Sequence, residues 1–551
     1  MYPNIEGGKN MKKHIRKNNG ITLVALVITI IILLILATIS IQSLTNTGLF
    51  KRAPEAKKAM ENAEAEQAVM LNEYENALNG YYTPSPKLQA DGSWNNTKKV
   101  NSPQLMTGMT GIYWEDDGTE TVVTVENQDK WYDYSAQKWA NAKTEDGSYW
   151  VWIPRYAYKI ESGRYTSTAG TISVKFLQGT SNKDENNSEI SQNYTETTGA
   201  TMSAFVVHPS FTDGSENGKN NHYMNGEWDK EIPGYWVAKY AAGFQECTQT
   251  ISNGTVTEPI INTTNVKYAD KYYTSYSSYI TNALSQNLSS SGYASQKLSY
   301  PVFKPLTYAY NVISTGDAYI ISQEIGKASS FYGLDSTKTD SHQMKNSEWG
   351  AVAYLTQSSY GRNGAEVTIN SKNINNASKV INGVTGYANE IANGLSASST
   401  NNKTGIFDLS GCVFERTAAY ISNGTENINS YGKSYASTTA NANGYQTLST
   451  KYATVYPYNS SNDSNTNNYK FYSEKKSPTY GFGDAVLETS TSGTNSTSWN
   501  SDYSDFLKIE IPFFERGGAY GDSSERGIFA FNDSWGEANN STGFRSVLIA
   551  Q

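Results

Sequence analysis

A long apolar run limits what the amino-terminal part of the chain can form. Residues 21–41 read ITLVALVITIIILLILATISI and include no charged side chain. At a rise of about 1.5 Å per residue, a helix of this length crosses the hydrocarbon core of a bilayer. Basic residues precede the run at Lys9, Lys12, Lys13, Arg16 and Lys17. The positive-inside rule therefore predicts a single-pass protein of the cell membrane, with a cytoplasmic N-terminus and an extracellular body.

The leader before this run ends in Asn18-Asn19-Gly20, and the apolar segment begins abruptly at Ile21. This junction resembles the class III leader of type IV prepilins and pseudopilins. The resemblance implies that a prepilin peptidase cuts between Gly20 and Ile21 and methylates Ile21, and that other pilins are partners in a cell-surface pilus. The fifth mature position holds Ala25, where that family usually has a Glu that pairs with a neighbour's terminal amine. A plain membrane anchor is the alternative.

A second helical pattern follows, because Pro54 precedes a stretch rich in Ala, Glu and Lys. Farther along, short aromatic and β-branched clusters predict strands near residues 113–114, 121–125, 149–153 and 172–176. The predicted segments are a leader (1–20), a transmembrane helix (21–41), an amphipathic helical stalk (42–80), a linker with the start of the globular region (81–145), and a head (146–551).

Composition narrows the class of partner. The chain has 44 basic and 52 acidic residues, so its formal net charge is −8 and a phosphate backbone would repel it. We therefore predict no nucleic-acid partner. Only 17% of residues are charged, whereas 41 are Tyr, which favours an aromatic, β-rich surface protein. The two cysteines, Cys247 and Cys412, allow one disulfide at most.

Five phrases occur in a particular order along the chain. They are GYWVAKY at 234–240, MKNSEWGAVAY at 344–354, GIFDLSG at 405–411, RGGAY at 516–520 and GFR at 543–545. Together they resemble the formylglycine-generating-enzyme (sulfatase-modifying factor) superfamily over roughly residues 150–551, with large insertions. The resemblance implies a C-type-lectin-like fold. The predicted fold class is α+β, with a long N-terminal transmembrane, pilin-type helix followed by a lectin-like globular domain that carries long loop insertions.

Elementary chemistry explains some of these residues without the resemblance. The pair Gly517-Gly518 suits a turn that needs positive φ or close backbone approach. Glu348-Trp349, with Ala351 and Ala353, predicts a short helix whose indole is buried. For each Trp and Gly, a purely architectural role is the alternative to a functional one.

Catalytic chemistry is missing from the expected place. Oxidases of the resembled family hold copper through two cysteines in the loop after the double glycine, but residues 520–529 read YGDSSERGIF. His208 is predicted to be a structural residue at a strand end, and the histidines as a group form no catalytic or metal motif: His14, His208, His222 and His342. We predict a non-enzyme with no cofactor. Calcium at Asp408 or Glu415 is left open, without an assigned site.

The segment 520–540 mixes rigid rings with short polar side chains, as antibody paratopes do. It also resembles the C-terminal region of lectin-fold proteins that retroelements diversify. The predicted ligand-binding residues are Tyr520, Asp522, Ser523, Glu525, Arg526, Phe529, Phe531, Asp533 and Trp535.

The predicted function is non-catalytic binding of an external protein or glycan by a membrane-anchored or pilus-associated surface protein. One alternative is a structural pilin or pseudopilin of a pilus or secretion machine. Another is an enzyme that uses non-cysteine chemistry in the same pocket. A third interpretation is that residues 520–540 merely complete the fold and face solvent.

Overall fold

The computed structural model describes most of the chain from residue 88 to residue 551. The gaps within that range are 193, 195–197, 214–227, 249–250, 253–254, 257–259, 262–266, 269–270, 273–299, 312, 370–382, 391–393, 423–426, 433–450, 475–481 and 523. The predicted leader, transmembrane helix and stalk therefore lie outside the described residues, as does Ser523.

Strands are short and numerous. In the first half they are β1 Trp94–Asn95, β2 Val100–Asn101, β3 Met109–Trp114, β4 Glu120–Val122, β5 Asn141–Thr144, β6 Tyr149–Pro154, β7 Tyr156–Ile160, β8 Ile172–Phe176, β9 Val206–Val207, β10 Gly234–Ala238, β11 Gly243–Thr248, β12 Ile251–Ser252, β13 Thr255–Val256, β14 Ile260–Ile261, β15 Lys267–Tyr268 and β16 Lys271–Tyr272. In the second half they are β17 Pro301–Val302, β18 Thr307–Ala309, β19 Thr339–Gln343, β20 Phe414–Ile421, β21 Thr454–Tyr456, β22 Phe513–Arg516, β23 Phe531–Ser534, β24 Thr542–Phe544 and β25 Ser546–Ala550. Strands were predicted near 113–114, 121–125, 149–153 and 172–176, and β3, β4, β6 and β8 confirm them.

Helices are few. The α-helices are α1 Thr315–Glu324, α2 Ser329–Tyr332, α3 Asn346–Gln357 and α4 Asn465–Glu474. Single 3₁₀ turns, and one π turn at Ile428–Gly432, occur at Gln128–Lys130, Tyr134–Ala136, Pro209–Phe211, Ile325–Lys327, Tyr387–Glu390, Gly394–Ala397 and Trp499–Ser501. The predicted short helix around Trp349 is confirmed by α3, in which every residue is buried.

The predicted fold class was wrong. We expected an α+β protein with a long transmembrane helix and a lectin-like domain, but the described residues form mostly β sheets. None of the helices in this part of the chain is long and apolar enough to cross a membrane. We underestimated the share of β structure because aromatic and β-branched residues within polar stretches form strands. We had assigned those stretches to loop insertions.

Seven antiparallel strands form the largest sheet, in the order β19-β25-β10-β6-β5-β3-β4. Trp152 of β6 and Trp236 of β10 are register partners, and their rings meet edge to face at 5.3 Å. Both side chains are buried in the main core. The last strand of the chain, β25, lies inside this sheet between β19 and β10.

A mixed five-stranded sheet carries the C-terminal segment of interest. Its order is β21-β20-β22-β23, and β24 also pairs with β20. Strand β20 is parallel to β21 and β24 and antiparallel to β22. The hairpin partners β22 and β23 are joined by residues 517–530, which include most of the predicted ligand-binding residues.

Candidate functional site

The turn after β22 requires both of its glycines. Gly517 has a φ of +65°, and a Cβ there would lie 2.5 Å from the carbonyl oxygen of Leu409. At Gly518, a Cβ would lie 2.3 Å from the Cβ of Arg526. The prediction for this pair is confirmed, because Gly517 supplies positive φ and Gly518 allows close approach.

Arg516 fixes the strand that leads into this turn. Its guanidinium is fully buried and donates to the carbonyl oxygens of Asp484, at 3.3 Å, and Ala485, at 3.0 Å. It also lies 5.6 Å from the centroid of the Trp349 ring. The loop therefore starts from a rigid base.

The far end of the loop is held by Asp502. This buried carboxylate accepts hydrogen bonds from the backbone N–H groups of Gly527, at 2.8 Å, and Phe529, at 3.0 Å. Burial raises the pKa of the Asp502 carboxyl to about 7. Next to it, the indole of Trp349 donates to the carbonyl oxygen of Ile528 at 2.9 Å. Residues 518–527 are thus fixed at both ends.

Between these ends, the predicted side chains face several environments. Tyr520 is half-buried, and its backbone N–H donates to the carbonyl oxygen of Cys412 at 3.1 Å. Asp522 is also half-buried, and its Oδ2 accepts from the N–H of Ala519 at 2.7 Å. Glu525 is exposed. The surface of this loop is therefore polar and partly ordered by its own hydrogen bonds.

Arg526 lies flat against an aromatic ring. Its guanidinium carbon is 3.7 Å from the centroid of Tyr503 and 5.2 Å from that of Phe414. The side chain is half-buried. Stacking on Tyr503 restricts its rotamers and so lowers the entropy lost when a ligand contacts it.

Phe529 and Phe531 are corrections to the predicted site. They are 1% and 0% exposed, respectively. Phe529 meets Trp499 edge to face at 5.1 Å, and Phe531 packs against Phe514 at 6.0 Å. Both rings stabilise the core and present no surface to a ligand.

Trp535 is the exposed member of the predicted set. Its side chain is 52% exposed, and it is the one large hydrophobic residue of the described part with such exposure. Its neighbour Asp533 is half-buried and accepts a hydrogen bond from Asn465 at 2.9 Å. Burial raises the pKa of the Asp533 carboxyl to about 6.

The predicted residues lie toward the two ends of the β22–β23 ladder. Arg516 pairs with Phe531 at one end of the β22–β23 ladder, and Phe513 pairs with Ser534 at the other. Three strand residues span about 10 Å. The loop bearing Tyr520 and Arg526 therefore starts at one end of the ladder, and Trp535 follows the other end.

The carboxylates considered for calcium are occupied by protein donors. Glu415 binds the buried guanidinium of Arg545, whose Nε donates to its Oε2 at 2.8 Å. Asp408 accepts from the N–H groups of Gly386, at 2.8 Å, and Ala241, at 3.2 Å. Burial raises the pKa of the Asp408 carboxyl to about 7. Across the described residues, no group of three or more His, Cys, Asp or Glu side chains is placed to hold a metal ion.

The histidines that the structure describes are internal. His208 directly follows β9, is fully buried, and its Nδ1 accepts from the N–H of Ser210 at 3.2 Å. Desolvation lowers its pKa to about 3, so it is neutral in the fold. The structural role predicted for it is confirmed. His342 contacts the buried carboxylate of Glu348 through Nε2 at 2.8 Å, a pair that the sequence did not indicate.

Cys412 is a buried free thiol with a φ of +64°. The side chain of Cys247 lies outside the described residues, as do His14 and His222. No protein-family model matches the chain, and a search of curated proteins found no similar sequence.

Proposed function

We propose that this protein binds an external protein or glycan ligand at the cell surface without catalysis, with Trp535 as the principal contact. The observation that carries the proposal is the 52% exposure of this indole on an ordered turn. An exposed indole keeps apolar surface in contact with water, and covering that surface with a ligand is favourable. Binding hot spots are enriched in Trp.

The turn around Trp535 is pinned on both sides by buried Arg416. The guanidinium donates to Ser534 Oγ at 3.1 Å and to the carbonyl oxygen of Glu537. Ser534 Oγ donates in turn to Glu515 Oε1 at 2.7 Å.

A further backbone bond fixes the residue that follows Trp535. The N–H of Thr315 donates to the carbonyl oxygen of Gly536 at 2.9 Å. Because the turn is already ordered, little backbone entropy is lost when the indole is bound, which favours affinity.

The loop of residues 518–527 supplies a second, polar contact region. Arg526 stacked on Tyr503 and the exposed Glu525 offer hydrogen-bonding groups that can adapt to a partner. The absence of cysteine between residues 520 and 529 supports a binding role over copper-dependent oxidation.

The proposed location rests on the sequence. The uncharged segment 21–41 would tether the protein to the cell membrane, with its body outside. If the junction at Gly20 and Ile21 is processed, prepilin peptidase and other pilins become partners, and the protein is carried on a surface pilus.

The test uses cells that display the full-length chain. Adhesion to a glycan array and to immobilised extracellular-matrix proteins is compared for the parent, Trp535→Ala and Trp535→Tyr. Removing a central Trp contact is expected to cost at least about 2 kcal/mol, or roughly 30-fold in affinity, and the Tyr variant should retain most of the binding. Undiminished adhesion of Trp535→Ala at equal surface display would refute the proposal.

A further inference from the structure

The hydrogen-bond partner of each indole N–H shows which tryptophans are held within the protein and which can bond to a ligand. All eleven tryptophans lie in the described part of the chain. Eight donate their N–H to an oxygen within the protein. Within the described residues, the indoles of Trp94, Trp114 and Trp535 have no such acceptor. Trp94 packs against the core, and Trp535 belongs to the proposed site above, so Trp114 needs a separate explanation.

Trp114 lies at the end of β3, and polar groups lie beside it. It is partly exposed and pairs across the ladder with Glu120 of β4. The Tyr149 ring is nearly parallel to the indole, at 15° and 6.4 Å between centroids. Tyr149 donates its hydroxyl to Glu120 Oε2 at 2.7 Å, and Lys143 Nζ lies 2.9 Å from Glu120 Oε1. An aromatic surface and a compensated ion pair therefore adjoin each other.

The indole is supported from within by Lys239. The Lys239 ammonium lies 4.6 Å from the Trp114 ring centroid and is fully buried. It is held by Asn141 Oδ1, at 2.8 Å, and by the carbonyl oxygen of Gly405, at 3.0 Å. Its fixed position holds the indole in one orientation through a cation–π contact. Burial lowers the pKa of Lys239, which is consistent with the dry interior behind the ring.

We propose that the Trp114, Glu120, Lys143 and Tyr149 side chains form a binding site for a neutral pyranose glycan, separate from the Trp535 surface. A pyranose ring has an apolar face of C–H groups that packs on an indole, and hydroxyls at its edge that need donors and acceptors. Here the indole N–H and Lys143 donate, and Glu120 accepts. Lys143 and Glu120 are each 29% exposed, so ligand hydroxyls can reach them.

Charge determines the class of ligand. Lys143 and Glu120 neutralise each other, so neither an anionic nor a cationic ligand gains from the pair. An apolar peptide would leave both charged groups desolvated without new partners, which is unfavourable. A neutral sugar satisfies the charged groups through its hydroxyls and covers the ring at the same time.

The experiment measures co-sedimentation of the detergent-solubilised full-length chain with cellulose, chitin, starch and xylan. The expected result is binding to at least one of these polysaccharides, reduced tenfold or more by Trp114→Ala. Glu120→Gln, which keeps the side-chain shape, should reduce binding several-fold and gives a readout if Trp114→Ala folds poorly. Lys327→Ala, which changes an exposed side chain outside both surfaces, should bind like the parent. Trp535→Ala is measured beside it to separate this site from the proposed function.

Two results would overturn the glycan site. One is failure of the folded parent to sediment with any of the four polysaccharides. The other is unchanged sedimentation of both Trp114→Ala and Glu120→Gln. Loss of binding in Trp535→Ala alone would assign the glycan to the other surface and also count against Trp114.

Discussion

Replacing Gly517 by Ala tests the claim that the loop begins with a turn that only glycine can adopt. The φ of +65° is a left-handed conformation, which costs a residue with a Cβ about 1 to 2 kcal/mol. The added Cβ would also lie 2.5 Å from the carbonyl oxygen of Leu409, a backbone atom that cannot move independently. Such overpacking adds about 1 to 3 kcal/mol. We expect Gly517→Ala to lower the free energy of unfolding by about 3 kcal/mol.

The assay is equilibrium denaturation followed by tryptophan fluorescence, which also reports on buried Trp349 beside the turn. Gly521→Ala is the matched control, because the same loop has nothing within 4 Å of a Cβ at that position. The control is expected to change stability by less than about 1 kcal/mol. Equal midpoints for the two variants would show that the turn tolerates a side chain and that the argument for a rigid loop base is wrong.

Two further predictions concern buried charge. Glu415→Gln should lower the free energy of unfolding by about 3 to 5 kcal/mol, because it leaves the Arg545 guanidinium buried without its counter-ion. In equilibrium denaturation, the double variant Glu415→Gln/Arg545→Met should lose less stability than the two single variants together. Additive losses would contradict the pairing. The pKa of the Asp502 carboxyl is about 7 in the folded state and 3.8 in the unfolded reference. Between these values the folded state holds a proton that the unfolded state releases. The free energy of unfolding should therefore fall as pH rises from about 4 to 7, by up to about 1.4 kcal/mol per pH unit. Asp502→Asn should lower the slope in a pH series of denaturation midpoints and leave the contributions of Asp408 and Asp533, whose pKa values are also raised. An unchanged slope would place the titration elsewhere.

Local sequence signals predicted local structure well. The aromatic cluster at 149–153 became β6, and the Glu348-Trp349 phrase became α3, because strand and helix patterns depend on neighbouring residues. The glycine pair at 517 and 518 was also interpretable, since a turn has few residue types to choose from. The fold class could not be predicted in this way, because the pairing of distant strands leaves no local pattern. Strand β25, for example, pairs with both β19 and β10.

The sequence indicated which segment carries the candidate site but not which of its side chains are buried. Rings between polar residues indicated an exposed segment, but Phe529 and Phe531 turn inward while Trp535 turns outward. Depth depends on what packs beneath a segment, here Trp499 and Phe514, and these lie elsewhere in the sequence. Trp114 was missed for a similar reason, since its unused N–H is apparent only when the partners of the other indoles are known.

The position of β25 has a consequence for how the chain reaches its native state. Arg545, one residue before this strand, donates to the carbonyl oxygen of Ala238 across 307 positions of sequence. Until residues 546–550 are available, β10 and β19 have no strand between them, and the seven-stranded sheet remains in two parts. Closing a loop of that length makes folding slow and leaves unpaired strand edges open to other chains. A ribosome or translocation channel that still holds residues 546–550 therefore holds an unfinished sheet.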